Sequence, residues 1–317
     1  MSLLGHAAVA LQAGAVVGGA PLLTGLMRQV RARLEGRAGA GVLQPWRDLR
    51  KLLRRESTEP VGTGPAFRTA PALLVATTLV VGSLVPLLST DTPVAGRADL
   101  ILVVALLALG TVTLALAGLD TGTAFGGMGA SREMTIAALV EPTLLMAVFA
   151  LSTPAGTTNL PTIVADVVHD PSRLASPAGL LAAAALAVAV LAETGRLPLD
   201  NPSTHLELTM VHEAMVLEYA GRDLALVEIG AQMRLTVLLG LLAALFAPWG
   251  IATTTSVAGL AVALVALTAK VALLGALLAA AEVLWAKIRL FRVPELLAGS
   301  FLLALLAVAS SFFLSGA

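Results

Sequence analysis

The side chains best suited to chemistry gather in one stretch, ETGRLPLDNPSTHLELTMVHEAMVLEYAG, Glu193 to Gly221. It holds six charged residues and two of the chain's four histidines, directly after the apolar run GLLAAAALAVAVLA. Metal ligation is the first chemistry to test. An HExxH zinc site needs a second histidine four residues after the first, and in VHEAMV that position is Val216. His205 and His212 stand seven apart, on one helix face, but two ligands rarely hold a metal. A packing or interface role is the better reading of both histidines, and no metal site is expected in this chain. Proton relay by carboxylates is the second chemistry. If 203–219 is one helix, Glu207 and Glu218 fall within about 20° of each other. The histidines lie roughly opposite, with Glu213 between. Such a helix is too polar for lipid, so it belongs in a vestibule or against a partner. The prolines of LPLDNPS separate it from the preceding apolar run.

Three more ionisable residues sit within or at the edge of apolar runs: Glu141 in LVEPTLL, Glu193, and Lys270. Charge is costly in a membrane, so it usually faces a bundle interior and marks an ion path. Pro142 would free a carbonyl beside Glu141 for water or a side chain. The expected relay comprises Glu141, Glu193, Glu207, Glu213, Glu218 and Lys270. A structural Glu–Lys pair is the competing reading. Glu282 and Glu295 extend the line more weakly.

The elements that must position these residues are membrane helices. Of 317 residues, 57% are hydrophobic and only 13% charged, a balance few soluble domains have. Apolar stretches of about 20 residues recur, each long enough to cross a hydrocarbon core of ~30 Å. We expect an all-α polytopic membrane protein, one integral-membrane domain over 1–317. Hydropathy gives about eight spans: 3–27, 67–88, 98–119, 134–152, 177–194, 233–252, 255–281 and 295–315. The polar segments between them are roughly 28–66, 120–133, 195–232 and 282–294. No cysteine is present, which excludes disulfides and all-cysteine iron–sulfur ligation by this chain. The first span has its basic residues after it rather than before, the reverse of a cleaved secretory signal, so a retained span is expected.

Ten of the 20 lysines and arginines lie between the first two expected spans, Arg28 to Arg68, whereas the connections after spans two and four hold only Arg97 and Arg173. By the positive-inside rule both termini lie outside and the large polar loops face the cytoplasm. Within the first of these loops, LQPWRDLRKLLRRES reads as an amphipathic helix, resting on anionic headgroups, docking a soluble partner, or both. The glycines of GLDTGTAFGGMGASRE lack the GKS or GKT ending of a phosphate loop and read as a tight interhelical connection. No internal repeat stands out, which counts against a stand-alone inverted-repeat transporter. Net charge is zero and no nucleic-acid partner is expected.

The 193–221 stretch resembles the fifth cytoplasmic connection of the complex I subunit 1 family. Its pattern, ET-x-R-x-P-x-D followed by a polar helix ending E-Y-x-G, is met by Glu193, Thr194, Arg196, Pro198, Asp200, Glu218, Tyr219 and Gly221. THLELTMVHEAM is closer to the formate hydrogenlyase subunit 4 branch, found in membrane-bound nickel-iron hydrogenases. EGRAGAGVLQPWRDLRKLLRRE resembles the family's first cytoplasmic segment, through Gly36, Arg37, Gln44, Pro45, Asp48 and Lys51. GLDTGTAFGGMGASREMTIAALVEP resembles the third connection, leading to Glu141 and Pro142. The resemblance covers nearly the whole chain.

It implies a non-catalytic, ion-coupling subunit in a bacterial cell membrane. The nickel-iron site and iron-sulfur clusters would sit in partners: a hydrogenase-like large subunit and an iron-sulfur small subunit. Antiporter-like membrane subunits would move the ions. Arg37, Asp48, Arg196, Asp200, His205, His212 and Tyr219 would brace the loops or meet the partner. In quinone-reducing relatives the same face forms part of a quinone cavity, so a quinone-site subunit of an NADH-quinone oxidoreductase is the first alternative. A stand-alone secondary ion transporter is the second.

Overall fold

A computed structural model describes residues 3–196, 210–254, 256–285 and 292–315. Asp200, His205 and Glu207 lie outside the described residues. The rest forms a helical bundle: α1 (Leu3–Leu34), α2 (Gln44–Leu53), α3 (Pro65–Leu84), α4 (Leu100–Asp120), α5 (Ala124–Ala155), α6 (Leu160–His169), α7 (Pro177–Glu193), α8 (His212–Val216), α9 (Gly221–Phe246), α10 (Val257–Leu284) and α11 (Val293–Ser315). The starts are set by local chemistry. Side chains of Asp99, Thr123, Asn159, Ser176 and Ser256 each accept from a backbone N–H in the first turn of α4, α5, α6, α7 and α10, the usual way to satisfy orphan donors.

Seven helices are long and apolar enough to cross a membrane: α1, α3, α4, α5, α9, α10 and α11. This is a multi-pass membrane protein. The expected fifth span forms almost where hydropathy put it, but α7 has 17 residues. It rises about 25 Å, at the lower edge of spanning length. The expected sixth span shifts more. α9 starts at Gly221, twelve residues before the expected 233, because Asp223 and Glu228 depress hydropathy without breaking the helix. It stops at Phe246, since Pro248 follows closely. α5 likewise begins at Ala124, so most of the expected 120–133 connection is helix and the link shrinks to Thr121–Thr123. α2 is the amphipathic helix expected, with Pro45 and Leu49 buried and Arg47, Arg50 and Lys51 exposed.

α9 runs through the middle of the bundle. Its most apolar window is 72% buried, against 33–50% for the other six candidate spans. α3 and α1 flank it; α1 also packs on α10, α3 on α4, and α11 on α5 and α7. Two helices end short and are finished by side chains from neighbours. Buried Gln12 of α1 donates to the carbonyls of Gly82 (2.8 Å) and Val85 (2.7 Å) and accepts from Leu88 N–H (3.0 Å), closing the end of α3. Lys270 of α10 donates to the carbonyls of Ala247 (3.0 Å) and Trp249 (3.1 Å), closing the end of α9. The irregular segments beyond are tied together, Ala252 N–H to Leu88 carbonyl at 2.9 Å and Thr90 N–H to Ala252 carbonyl at 3.0 Å. Backbone outside helices at this depth needs such partners, because lipid offers none.

The single helix expected over 203–219 does not form in its described part. Only His212–Val216 is helical; Met210 and Val211 are not. The reason is tertiary: Arg132 of α5 donates to the Met210 carbonyl at 2.8 Å, taking it out of any helical ladder. The shared helix faces expected for Glu207 with Glu218, and for His205 with His212, therefore have no continuous helix to carry them.

Candidate functional site

The end of α7, α8, the first half of α9 and the last turns of α1 converge on a cavity of about 580 Å3. Leu74, Leu114, Val216, Val227 and Leu235 supply an apolar part of its wall. The remainder is densely charged. Arg28, Arg31, Arg37, Arg196 and Arg234 face Glu133, Glu193, Glu213 and Glu228, with His212 beside them.

At the inner end, Arg234 of α9 pairs with Glu193 at the last residue of α7. Both are buried, with side chains 8% and 4% exposed. The same Arg234 Nη2 donates to the Leu107 carbonyl (2.9 Å) and Thr111 hydroxyl (2.6 Å) of α4, so one guanidinium pins three helices. Glu141 of α5 lies in the electrostatic field of this pair. Its Oε1 is buried and, among the described residues, has no hydrogen-bond partner. Arg234 Nε and Gln232 Oε1 share that condition. Buried polar atoms are ordinarily paired, with protein or with ordered water; a roomy, polar cavity is where water does this. α5 passes through Pro142 unbroken, and proline has no N–H for the Ala138 carbonyl, leaving an acceptor close to Glu141.

Nearer the opening, Glu282 at the end of α10 is wholly buried and receives two arginines. Arg31 hydrogen-bonds its Oε2, and Arg196 approaches Oε1 at 3.6 Å. Burial lowers the Arg196 guanidinium to about 10, helped by the like charges of Arg31 and Arg28; it is still charged at neutral pH. At the rim Arg37 pairs with Glu35, and Arg28 with Asp48 at 3.7 Å. Gln44 of α2 holds the other Asp48 oxygen at 2.8 Å.

Glycines let α8 dock here. A Cβ at Gly129 would sit 2.9 Å from the Ala214 Cβ and the Val211 carbonyl, and one at Gly118 3.0 Å from Met215. The connection read from GLDTGTAFGG is a close-packing corner. Tyr219 is a brace outside the cavity: its hydroxyl donates to the Phe67 carbonyl at 2.8 Å, and its ring stacks on Phe67 with centroids 4.1 Å apart. Burial holds its phenol well above the usual tyrosine range. Asp120 accepts from Gly64 and Phe67 N–H, both at 2.9 Å, fixing the start of α3 beneath the stack. Gly221 needs its positive φ of 56°, and any Cβ would run into the Glu56 backbone.

The structure thus brings together Glu193, Glu213, Arg196, Arg37 and His212 around one cavity, with Glu141 behind it. Glu218 is exposed and does not line it. Lys270 is elsewhere: its ammonium serves the carbonyls at the end of α9 and lies 5.1 Å from the Trp249 ring centre. Glu295 is exposed at the start of α11. Sequence reasoning missed Arg234, although an arginine inside MRLTVLL meets the criterion that singled out Glu141 and Lys270. It also missed Arg31 and Glu228.

The pattern of the NADH dehydrogenase family matches residues 7–313. The chain belongs to this family. It is 38% identical to hydrogenase-4 component C of Escherichia coli (strain K12), over 93% of this chain and 92% of that one. Formate hydrogenlyase subunit 4 of the same strain is 36% identical, over 92% and 94%. A membrane subunit of the NADH-quinone oxidoreductase of Syntrophobacter fumaroxidans is 30% identical over 72% of each chain. In fold the chain is similar to one from the membrane-bound sulfane sulfur reductase, an archaeal respiratory membrane complex, with a TM-score of 0.78, 21% identity and coverage of 96% and 99%. Family membership agrees with the resemblance drawn from the three loop motifs. The hydrogenase-side relatives align over more of the chain, and at higher identity, than the quinone-side one.

Proposed function

We propose that this chain is the membrane subunit of a complex similar to hydrogenase-4 and formate hydrogenlyase, where it couples a redox module to proton or sodium movement. The observation that carries the reading is the run of ionisable residues from the rim (Arg37, His212, Glu213), through Arg196–Glu282–Arg31, to the buried Glu193–Arg234 pair and Glu141. A charge change at the rim alters the balance of each pair beyond it. The carboxylate nearest the bundle interior, Glu141, has an unpartnered oxygen to take or give a proton. The basic first loop sets the rim toward the cytoplasm and both termini outside. The rim then faces a hydrogenase-like large subunit carrying the nickel-iron site and a small subunit carrying iron-sulfur clusters. Antiporter-like subunits would take up the signal within the membrane. Lys270, placed on backbone carbonyls, is a structural cap in this scheme.

One observation favours a second reading. A cavity of about 580 Å3 falls within the ~300–1,000 Å3 of small-molecule pockets, and its apolar wall could take a quinone head. Two experiments separate the readings. The complex is first purified through this chain in mild detergent, and nickel and co-purifying subunits are measured. Nickel with a hydrogenase-like large subunit is expected; an NADH-oxidising flavoprotein arm and photoaffinity-quinone labelling of residues 193–221 would establish the quinone-site role instead. Glu193→Gln in the same complex, assayed in sealed vesicles, is expected to abolish the ion gradient while redox turnover persists. An unchanged gradient would remove Glu193 from the path.

A further inference from the structure

A second concavity lies between α1 and α10, on the outer flank of the bundle. It encloses about 230 Å3. Its floor is buried Val16, Leu23, Leu87, Leu267 and Val271, and its rim includes exposed Leu22 and Thr268. Only two lining residues carry polar side-chain atoms, and both hydroxyls are already used: Thr236 donates to the Gln232 carbonyl at 2.9 Å, Thr268 to the Leu264 carbonyl at 2.7 Å. The groove therefore offers no side-chain group for a polar ligand head. It follows α1 from Ala15 to Leu26, a length of about 16 Å at the helical rise. A helix, at least ~10 Å across, is too wide for this volume. A single extended hydrocarbon chain matches both width and chemistry.

The end of the groove says which hydrocarbon. Leu26 and exposed Val42 close it. Two residues beyond Val42 begins α2, which buries Pro45 and Leu49 and exposes Arg47, Arg50 and Lys51. An apolar slot inside one leaflet thus ends beneath a basic helix lying at that leaflet's surface, where anionic headgroups are attracted. We propose that a phospholipid with an anionic headgroup binds here, one acyl chain in the α1/α10 groove and its phosphate against the exposed cations of α2. The site is separate from the charged cavity, and would fix α2 at the membrane surface next to the rim.

The test uses the purified complex and phosphatidylglycerol carrying a photoreactive group on one acyl chain, with the phosphatidylcholine analogue as control. Labelling is expected on segments 15–26 and 264–272, with phosphatidylglycerol preferred. Arg47→Gln and Arg50→Gln should each weaken that preference by about fivefold, the worth of one surface cation near an anionic leaflet, and leave phosphatidylcholine labelling unchanged. Gly19 lines the groove, and a Cβ there meets no atom within 4 Å, so Gly19→Leu should fill the slot without disturbing the fold. It is expected to cut labelling several-fold while the complex stays assembled. Labelling spread evenly over all lipid-facing helices, labelling insensitive to Gly19→Leu, displacement by an isoprenoid quinone rather than by phosphatidylglycerol, or a groove covered by another subunit in the intact complex would each overturn the assignment.

Discussion

Arg234 decides what Glu193 can do. Both are buried, and removing one charge of a buried pair strands the other at a cost of about 3–5 kcal/mol. Arg234→Met should lower thermal stability in detergent accordingly, and Arg234→Met with Glu193→Leu should recover most of it. Lys270→Met should cost less, about 1–3 kcal/mol, because it deprives two carbonyls of a donor without stranding a charge. The rim gives a pH prediction. Arg196 is lowered from 12.5 to about 10 by burial, so the folded chain disfavours its charged form. That cost is constant at neutral pH and disappears as pH rises from about 10 through 12.5. Arg196→Lys starts from a group near 10.4, and the same burial would bring its charge loss to ~8. Coupled activity of Arg196→Lys should therefore fall across the mildly alkaline range, where the parent complex stays level. Much of this was legible at single positions. A lone charge in an apolar run flagged Glu141, Glu193 and Lys270, and should have flagged Arg234. Their partners were not legible, because Arg234 reaches a carboxylate 41 residues away and a carbonyl 127 residues away.

Among the elements, α8 and α9 show where periodicity and hydropathy stop being informative. The polar helix expected after α7 is, in its described part, one short turn, held by Arg132 at Met210 and seated on a glycine corner of α4 and α5. Nothing local in THLELTMVHEAMV announces that contact. The corner tests the seating. Gly129→Val would press on Ala214 and the Val211 carbonyl, and overpacking of this kind costs about 1–3 kcal/mol. Protease cleavage between 205 and 220 should rise in that variant and not in Gly127→Ala, whose Cβ meets open space. α9 was misplaced for a different reason. Its first turns carry Arg222, Asp223 and Glu228 because they line or approach a charged cavity, and a hydropathy window reads such turns as loop. The caps of α3 and α9 by Gln12 and Lys270 were equally hidden, since each depends on helices brought together only by the fold.

For the whole molecule, the bundle places one charged cavity at the end where the basic loops lie and leaves an apolar exterior for lipid. Composition alone established the membrane class, and three loop motifs pointed to the family. The cavity could not be read, because its walls come from seven helices and the loops that follow α1 and α7. Ion coupling through it rests on Glu141, the residue deepest along the line of charges. The most direct measurement is the ratio of ions moved to electrons transferred by the purified complex in sealed proteoliposomes, for the parent and for Glu141→Gln. Gln keeps the size and polarity of the side chain and removes the titrating proton. A coupling subunit gives a ratio near zero in the variant, with electron transfer continuing. An unchanged ratio would contradict a path through Glu141 and leave the chain as an anchor.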